Sequence, residues 1–162
     1  MSVVLSLGSN LGDREALLRE AVAAIAAIDG VSVTRASGLV ETPALKPHGI
    51  DADAPAYLNA ALTVETTLEP LALLTALGEV EQHAGRTREE RWGDRTLDID
   101  IVAWGDLVLE SERLTIPHPR AASRDFVLAP WLEIEPEARL GGIPVSELLE
   151  SQPTRLEAEP LL

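Results

Sequence analysis

Two hydrophobic periods alternate along the chain, and their order leaves few folds open. Short apolar or alternating runs predict β-strands at residues 2–7, 31–41, 57–66 and 97–103. Between them, apolar side chains recur at helical spacing over residues 17–28 and 70–85, and Gly30 and Gly85 predict where the two helices end. The predicted order of elements is therefore β-α-β-β-α-β.

This order is typical of the ferredoxin-like arrangement, an α+β fold with an antiparallel sheet and helices mainly on one face. The sequence then predicts C-terminal additions, a hairpin near Gly105 and a short helix at residues 127–134 that is interrupted at Pro130. A chain of 162 residues is too short for two full domains. We therefore expect one domain over residues 1–162, with a loosely held tail from residue 151 to 162.

The formal charge and the absence of cysteine exclude several classes of function. The chain has 13 basic and 27 acidic side chains, a formal net charge of −14 at pH 7, which repels nucleic acid and anionic membranes. The absence of cysteine excludes disulfides and thiolate metal sites. The sequence also shows neither a signal-peptide pattern nor an apolar run long enough to span a membrane. We expect a cytoplasmic protein, taken as a monomer, with neither nucleic-acid nor membrane partners.

Two carboxylates, Asp98 and Asp100, are separated by one residue on the last of the predicted strands. The strand period of two places both on the same face, about 7 Å apart along the chain. Such a pair is stabilised by a cation, and magnesium prefers oxygen ligands and is commonly held by one or two carboxylates together with substrate phosphates. The alternative is a solvated strand face without a ligand.

Two long stretches, residues 43–55 and 84–96, carry no hydrophobic period and are predicted to be loops. The second stands directly before the aspartate pair and holds four arginines: Arg86, Arg88, Arg91 and Arg95. Guanidinium groups beside a metal-binding carboxylate pair fit phosphoryl transfer, in which catalysis is mostly positioning and neutralisation of phosphate charge. A salt-bridged surface loop is the alternative interpretation of the arginines.

Two of the five aromatic residues stand where a flat ligand would stack on them. Trp92 lies among the arginines, and Tyr57 shares a polar strand face with Asn59. On sequence alone, Phe126 is assigned to the hydrophobic core. His118 lies between two prolines, where it is either an exposed loop residue or a phosphate contact.

Five blocks of the sequence, in order and at the right spacing, resemble the 6-hydroxymethyl-7,8-dihydropterin pyrophosphokinase family of folate biosynthesis. The resemblance extends over residues 2–135, and its blocks are GSNLG at residues 8–12, ETP at 41–43, YLNA at 57–60, RWGDRTLDIDIV at 91–102 and RLTIPHP at 113–119. It implies a ferredoxin-like fold and transfer of the β,γ-diphosphate of ATP to the hydroxymethyl oxygen of the pterin. AMP would be released, and no covalent intermediate is required.

The resemblance also implies a role for individual residues of this chain. Asp98 and Asp100 would bind two magnesium ions, and together with Arg86 and Arg95 they form the implied catalytic set. The implied ATP contacts are Glu81, Arg88, Arg91, Ile101, Arg113, Thr115, His118 and Arg124. The implied pterin contacts are Thr42, Pro43, Leu45, Tyr57, Asn59, Trp92 and Phe126.

Two other functions are compatible with the same residues. One is a ferredoxin-like regulatory module that binds a nucleotide or metabolite without turnover, although such a module has little use for the aspartate pair beside arginines. The other is a different magnesium-dependent nucleotidyl or phosphoryl transferase. Release of AMP, rather than of pyrophosphate or ADP, distinguishes the predicted enzyme from the latter.

Overall fold

A computed structural model describes residues 2–9, 14–42, 44–46, 49–51, 57–88, 97–151 and 158–159, with side chains described over 2–9, 15–41, 58–84 and 97–151. In chain order the elements are β1 (Ser2–Ser9), α1 (Arg14–Ala26), β2 (Val31–Ala36), β3 (Leu39–Thr42), β4 (Ala44–Lys46), β5 (Gly49–Asp51), β6 (Tyr57–Thr66), α2 (Pro70–Arg88), β7 (Asp98–Trp104), β8 (Leu109–Glu110), β9 (Thr115–Ile116), a 3₁₀ turn (Ala121–Ser123), α3 (Asp125–Ile134), β10 (Arg139–Leu140), β11 (Ile143–Pro144), α4 (Val145–Glu150) and β12 (Ala158–Glu159). The fold is α+β.

An antiparallel six-stranded sheet forms the centre of the molecule. Its order is β12-β3-β6-β1-β7, and β2 pairs with β6 as well. β1 lies between β6 and β7, so that Gly8 stands opposite Asn59 of β6 on one side and Asp98 of β7 on the other. This row across three strands lies near the end of the sheet at which β1 ends.

The sheet buries both of its faces against helices. Side chains at alternate positions, among them Leu5, Leu62 and Ile101, form the first core with α1 and α2. The intervening positions, among them Val4 and Ala61, form the second core with α3 and α4. The two longer helices therefore cover one face and the two shorter helices the other. Each fully buried leucine stabilises this packing by about 1.5–3 kcal/mol.

The strand predicted over residues 31–41 is divided into β2 and β3, and both parts pair with β6. The division comes at Ser37, whose backbone N–H donates to the carbonyl oxygen of Ala61 at 2.9 Å and whose Oγ accepts from the Ala61 N–H at 2.8 Å. Gly38 then donates its N–H to a carboxylate oxygen of Glu133 on α3. Tertiary hydrogen bonds stabilise this division of the strand, and the spacing of hydrophobic residues in the sequence does not predict such bonds.

The prediction that α2 ends at Gly85 is wrong, because the helix continues to Arg88. A glycine in a helix interior costs about 1 kcal/mol relative to alanine, but it keeps its backbone N–H and does not end the helix. Arg86 and Arg88 consequently lie in the last turn of a helix. The first predicted loop likewise contains a short hairpin of β4 and β5, with Leu45 opposite Ile50.

Two predictions about the C-terminal part also need correction. Pro130 does not interrupt α3, which runs through it, because packing of the buried Leu128 and Trp131 outweighs the lost hydrogen bond. At Gly105, where φ is +53°, β7 turns away, and the hairpin forms later between β8 and β9. In the tail, Ala158–Glu159 pairs with β3, and the expectation that residues 151–162 are loosely held stays a prediction.

No helix among the described residues is long and apolar enough to cross a membrane.

Candidate active site

Asp98 and Asp100 project from β7 on the face that the second core occupies. Leu97, Ile99 and Ile101 are buried in the first core, so the two half-buried aspartates between them point to the other side of the sheet. The shared face predicted from their spacing is therefore present in the fold.

Small residues stand beside the two aspartates on the neighbouring strand. Gly8 is opposite Asp98, and Ser6 is opposite Asp100, so no large side chain of β1 fills the space next to the carboxylates. This donor set fits magnesium, which prefers oxygen ligands and accepts the remainder from water or substrate phosphates. In the part of the chain that the structure describes, no group of three or more histidine or acidic side chains forms a metal site.

Glu81 of α2 holds the backbone of β7 between the two aspartates. Its Oε2 accepts a hydrogen bond of 2.8 Å from the backbone N–H of Ile99. β7 is the last strand of the sheet, so an N–H on its outer edge needs a partner other than a strand. The resemblance implies an ATP contact for Glu81, whereas the structure gives its carboxylate a structural partner.

His118 lies in a turn that is attached to β7. Its backbone N–H donates to the carbonyl oxygen of Val102 at 2.8 Å, and its Nδ1 accepts a hydrogen bond of 3.1 Å from the backbone N–H of Arg120. Partial burial of the ring lowers the pKa of His118 below its ordinary value of 6.5; Arg124 and Arg120 lower that pKa further, and Asp100 opposes them. The imidazole is thus neutral at pH 7, with its proton on Nε2, which remains available as a hydrogen-bond donor.

The start of α3 brings an arginine and an aromatic ring to the same region. The Arg124 guanidinium lies 5.6 Å from the centroid of the Phe126 ring, a cation–π distance. Phe126 is half-buried against the second core, on the sheet face that carries the aspartates. The prediction that Phe126 belongs to the hydrophobic core is confirmed only in part, because the residue is half-buried and remains accessible.

Asn59 belongs to the same row of the sheet as Asp98. Gly8 separates them, and two strand spacings place their backbones roughly 10 Å apart. The Asn59 side chain is 4% exposed. A buried amide on the site face is a suitable partner for the polar edge of a flat ligand.

Three other residues predicted to contact ATP have described side chains: Arg113, Thr115 and Ile101. Arg113 is exposed, and its guanidinium donates to Thr75 Oγ1 of α2 at 3.4 Å. Thr115 is half-buried in β9, and Ile101 is 3% exposed in the first core. Ile101 follows Asp100 in β7, with its side chain on the opposite face of the sheet.

The remaining predicted residues fall wholly or partly outside what the structure describes. For Thr42, Leu45, Tyr57, Arg86 and Arg88 the description is limited to the backbone. The predictions for Pro43, Arg91, Trp92 and Arg95 lie outside the described residues.

The sequence analysis did not predict the hydrogen bond from Arg120 to His118 or the pairing of small residues with the aspartates. The position of Arg120 two residues after His118 was an available signal. The partners of Asp98 and Asp100 were not available, because they depend on the register between β1 and β7, which are far apart in the sequence.

Known proteins resemble this chain in sequence. The sequence model of the family described as 7,8-dihydro-6-hydroxymethylpterin-pyrophosphokinase (HPPK) matches residues 4–136. A relative from Bacillus subtilis (strain 168), named 2-amino-4-hydroxy-6-hydroxymethyldihydropteridine pyrophosphokinase, is 45% identical over 130 residues, covering 80% of this chain and 75% of the relative. A relative of the same name from Methylorubrum extorquens is 43% identical over 145 residues, covering 90% of this chain and 89% of the relative.

Solved structures resemble the fold. A crystal structure of a Plasmodium falciparum HPPK-DHPS triple mutant with STZ-DHP has a TM-score of 0.69 at 16% identity and covers 92% of this chain. The chain spans 42% of the length of that protein, and the likeness concerns the fold alone. The match of the family model and the two close relatives confirm the resemblance noted in the sequence: the chain belongs to the 7,8-dihydro-6-hydroxymethylpterin-pyrophosphokinase family.

Proposed function

We propose that this chain transfers the β,γ-diphosphate of ATP to the hydroxymethyl oxygen of 6-hydroxymethyl-7,8-dihydropterin and releases AMP, as a step of folate biosynthesis. The observation that carries the proposal is the shared sheet face of Asp98 and Asp100, with His118, Arg124 and Phe126 around it. Family membership and the names of the relatives support it.

The aspartate pair is the proposed binding site for two magnesium ions. When bound, the ions would neutralise charge on the phosphate oxygens of ATP. The aspartates contribute carboxylate oxygens from one face of a strand that Glu81 holds in place. Asp98 stands in the same row as Asn59, so nucleotide and pterin would meet over this row.

Neutral His118 and cationic Arg124 are the proposed phosphate contacts among the described residues. The Nε2–H of His118 donates a hydrogen bond, and the Arg124 guanidinium supplies a fixed positive charge. Arg86, Arg88, Arg91 and Arg95 are proposed to add further cations. Because the chain carries a net charge of −14, binding of ATP depends on such a local cluster.

The proposed pterin contacts combine an aromatic face with buried polar groups. The Phe126 ring would stack on the flat bicyclic ring, and the Asn59 amide would pair with its polar edge. Their positions on the aspartate face support this arrangement. Thr42, Pro43, Leu45, Tyr57 and Trp92 complete the proposed set on the basis of the resemblance.

The proposed step is an in-line displacement at the β-phosphorus. The hydroxymethyl oxygen forms a bond to that phosphorus, and the bond from the phosphorus to the α,β-bridging oxygen breaks. AMP leaves with the bridging oxygen, and the hydroxyl proton is released. No covalent enzyme intermediate is required, because positioning and charge neutralisation supply the catalysis.

We also propose that residues 1–162 form a single ferredoxin-like domain with C-terminal additions. The alternation of strands and helices, with α1 and α2 on one sheet face, supports this description. The cytoplasmic location and the monomeric state expected from the sequence stay predictions.

A product assay tests the proposal. The protein is incubated with ATP and magnesium, with and without 6-hydroxymethyl-7,8-dihydropterin, and nucleotides are separated by chromatography. The expected result is AMP in equal amount to a pterin diphosphate, only when the pterin and magnesium are both present. ADP or pyrophosphate as product would favour another transferase, and binding of both ligands without AMP would favour a regulatory module.

A further inference from the structure

The turn after β9 is held together by the backbone of Arg120. The Arg120 N–H donates to His118 Nδ1 at 3.1 Å, and its carbonyl oxygen accepts from the backbone N–H of Ser123 at 3.2 Å and from Ser123 Oγ at 3.1 Å. Its φ of −107° and ψ of −1° are within reach of any L-residue. The turn therefore depends on the main chain at this position and not on the arginine side chain.

The guanidinium of Arg120 has no structural use in the part of the chain that the structure describes. The side chain is exposed, makes no capping hydrogen bond to the 3₁₀ turn, and forms neither a hydrogen bond nor an ion pair there. The other arginines with described side chains each have a partner: Arg19 pairs with Glu15, Arg35 donates to Ile134 O, Arg113 to Thr75, Arg139 to Gly142 O, and Arg124 lies over Phe126.

The location of Arg120 points to an anion. The backbone N–H of Arg120 is hydrogen-bonded to His118 Nδ1, and the backbone N–H of His118 is hydrogen-bonded to the carbonyl oxygen of Val102 in β7, two residues after Asp100. The positive charges of Arg120 and Arg124 both lower the pKa of His118, so two guanidinium groups lie near one imidazole at the edge of the aspartate site. Such a pair is stabilised by an anion between or above its members, and a guanidinium fork matches two phosphate oxygens.

We infer that Arg120 is a further binding residue for the phosphate chain of the nucleotide, acting beside His118 and Arg124. This inference rests on the proposed function for the identity of the anion. The backbone of Arg120 positions the imidazole, and its side chain contacts the polyphosphate. Its contribution should therefore depend on the β- and γ-phosphates and not on the nucleoside.

Equilibrium binding separates these contributions. Arg120→Gln and Arg120→Lys are compared with the unchanged protein and with Arg139→Gln, which removes the same charge from an arginine at the hairpin of β10 and β11. Two probes are titrated in the presence of magnesium: α,β-methylene-ATP, in which the bond that would release AMP cannot be cleaved, and AMP itself. Thermal unfolding is recorded for every variant.

Arg120→Gln is expected to weaken binding of the ATP analogue about 3- to 10-fold and to change AMP binding less than about 2-fold, as for loss of one ionic hydrogen bond at a solvent-exposed position, which is weaker than a buried one. KM for ATP should rise by a similar factor, and KM for the pterin should not change. Arg120→Lys should give an intermediate loss, because it keeps the charge but not the fork. Arg139→Gln should behave as the unchanged protein.

Equal affinity of Arg120→Gln and the unchanged protein for the analogue would overturn the inference. So would equal losses for the analogue and AMP, or a fall in the melting temperature that accounts for the lost affinity. If the unchanged protein forms no AMP but binds the analogue, the proposed reaction fails and the Arg120 comparison still decides this inference. If it binds neither nucleotide, both fail.

Discussion

Removing the carboxylate of Glu81 tests whether α2 holds the aspartate strand in position. In the structure, Glu81 Oε2 accepts a hydrogen bond of 2.8 Å from the backbone N–H of Ile99, the residue between Asp98 and Asp100. In Glu81→Ala this N–H, on a residue whose side chain is 5% exposed, loses its acceptor. In Glu81→Gln the amide oxygen can still accept the hydrogen bond, without the negative charge.

The expected loss of stability follows from the charge of Glu81, which accepts the hydrogen bond, and from the burial of the two residues. A hydrogen bond to a charged group contributes about 1.5–3 kcal/mol, and the half-buried position of Glu81 favours a lower value of about 1–2 kcal/mol. For a chain of 162 residues, 1 kcal/mol corresponds to a shift of about 2–4 °C in melting temperature. Glu81→Ala should therefore melt about 2–8 °C lower, and Glu81→Gln should lose less than half of that.

The assay is thermal unfolding without nucleotide or metal, followed by steady-state kinetics with both substrates. Glu79→Ala is the matched control, because it removes an exposed carboxylate from the same helix. In Glu81→Ala, kcat should fall and the magnesium concentration for half-maximal rate should rise, because the backbone between the two aspartates is less constrained. Glu81→Gln should keep most of the kcat of the unchanged protein and nearly the same magnesium concentration for half-maximal rate.

The reasoning is refuted if Glu81→Ala and Glu79→Ala have the same melting temperature. A rise in KM for ATP without loss of stability would instead identify Glu81 as the nucleotide contact that the resemblance implies.

Three further predictions concern the aspartate pair, two glycines and the histidine. Asp98→Ala should abolish magnesium-dependent turnover and leave the melting temperature unchanged or slightly higher, because it removes repulsion between like charges. Gly78→Ala should stabilise the protein by about 0.5–1 kcal/mol, since its helical position has open space, measured by urea unfolding. Gly30→Ala should destabilise it by about 1–3 kcal/mol, because φ is +86° and a Cβ would lie 2.9 Å from Thr67 Oγ1. The pKa of His118 is lowered on folding from 6.5, mainly by burial, so the unfolded chain binds more protons below that pH, and this contribution to stability is lost as the pH falls. Between about pH 7.5 and 5.5, His118→Gln should therefore lose less stability than the unchanged protein does, measured with a chelator present.

Each of these predictions has its own control. Asp106→Ala removes an exposed aspartate after β7 and should leave turnover intact, whereas turnover by Asp98→Ala at the normal rate would contradict the metal assignment. Equal effects of the two glycine substitutions would contradict the backbone argument. For His118→Gln, an acid loss of stability as large as in the unchanged protein would show that carboxylates alone cause it.

The local sequence pattern was sufficient to predict those elements whose conformation depends mainly on their own residues. The strand predicted over residues 57–66 is β6 with the same bounds, because a period of two along ten residues is compatible with only one pair of faces. The shared face of Asp98 and Asp100 follows from the same period. Helix ends were less predictable: Gly85 and Pro130 are unfavourable residues that tertiary packing tolerates.

The amino-acid sequence by itself determined the order of strands and helices, the two carboxylates on one face and, through five ordered blocks, the family. The partners of those residues were decided only in the tertiary structure. The hydrogen bond from Ile99 to Glu81 joins residues 18 positions apart, and the position of Arg120 beside His118 depends on a turn attached to β7. Such contacts depend on register and packing between elements, and the hydrophobic period within one element carries no information about either.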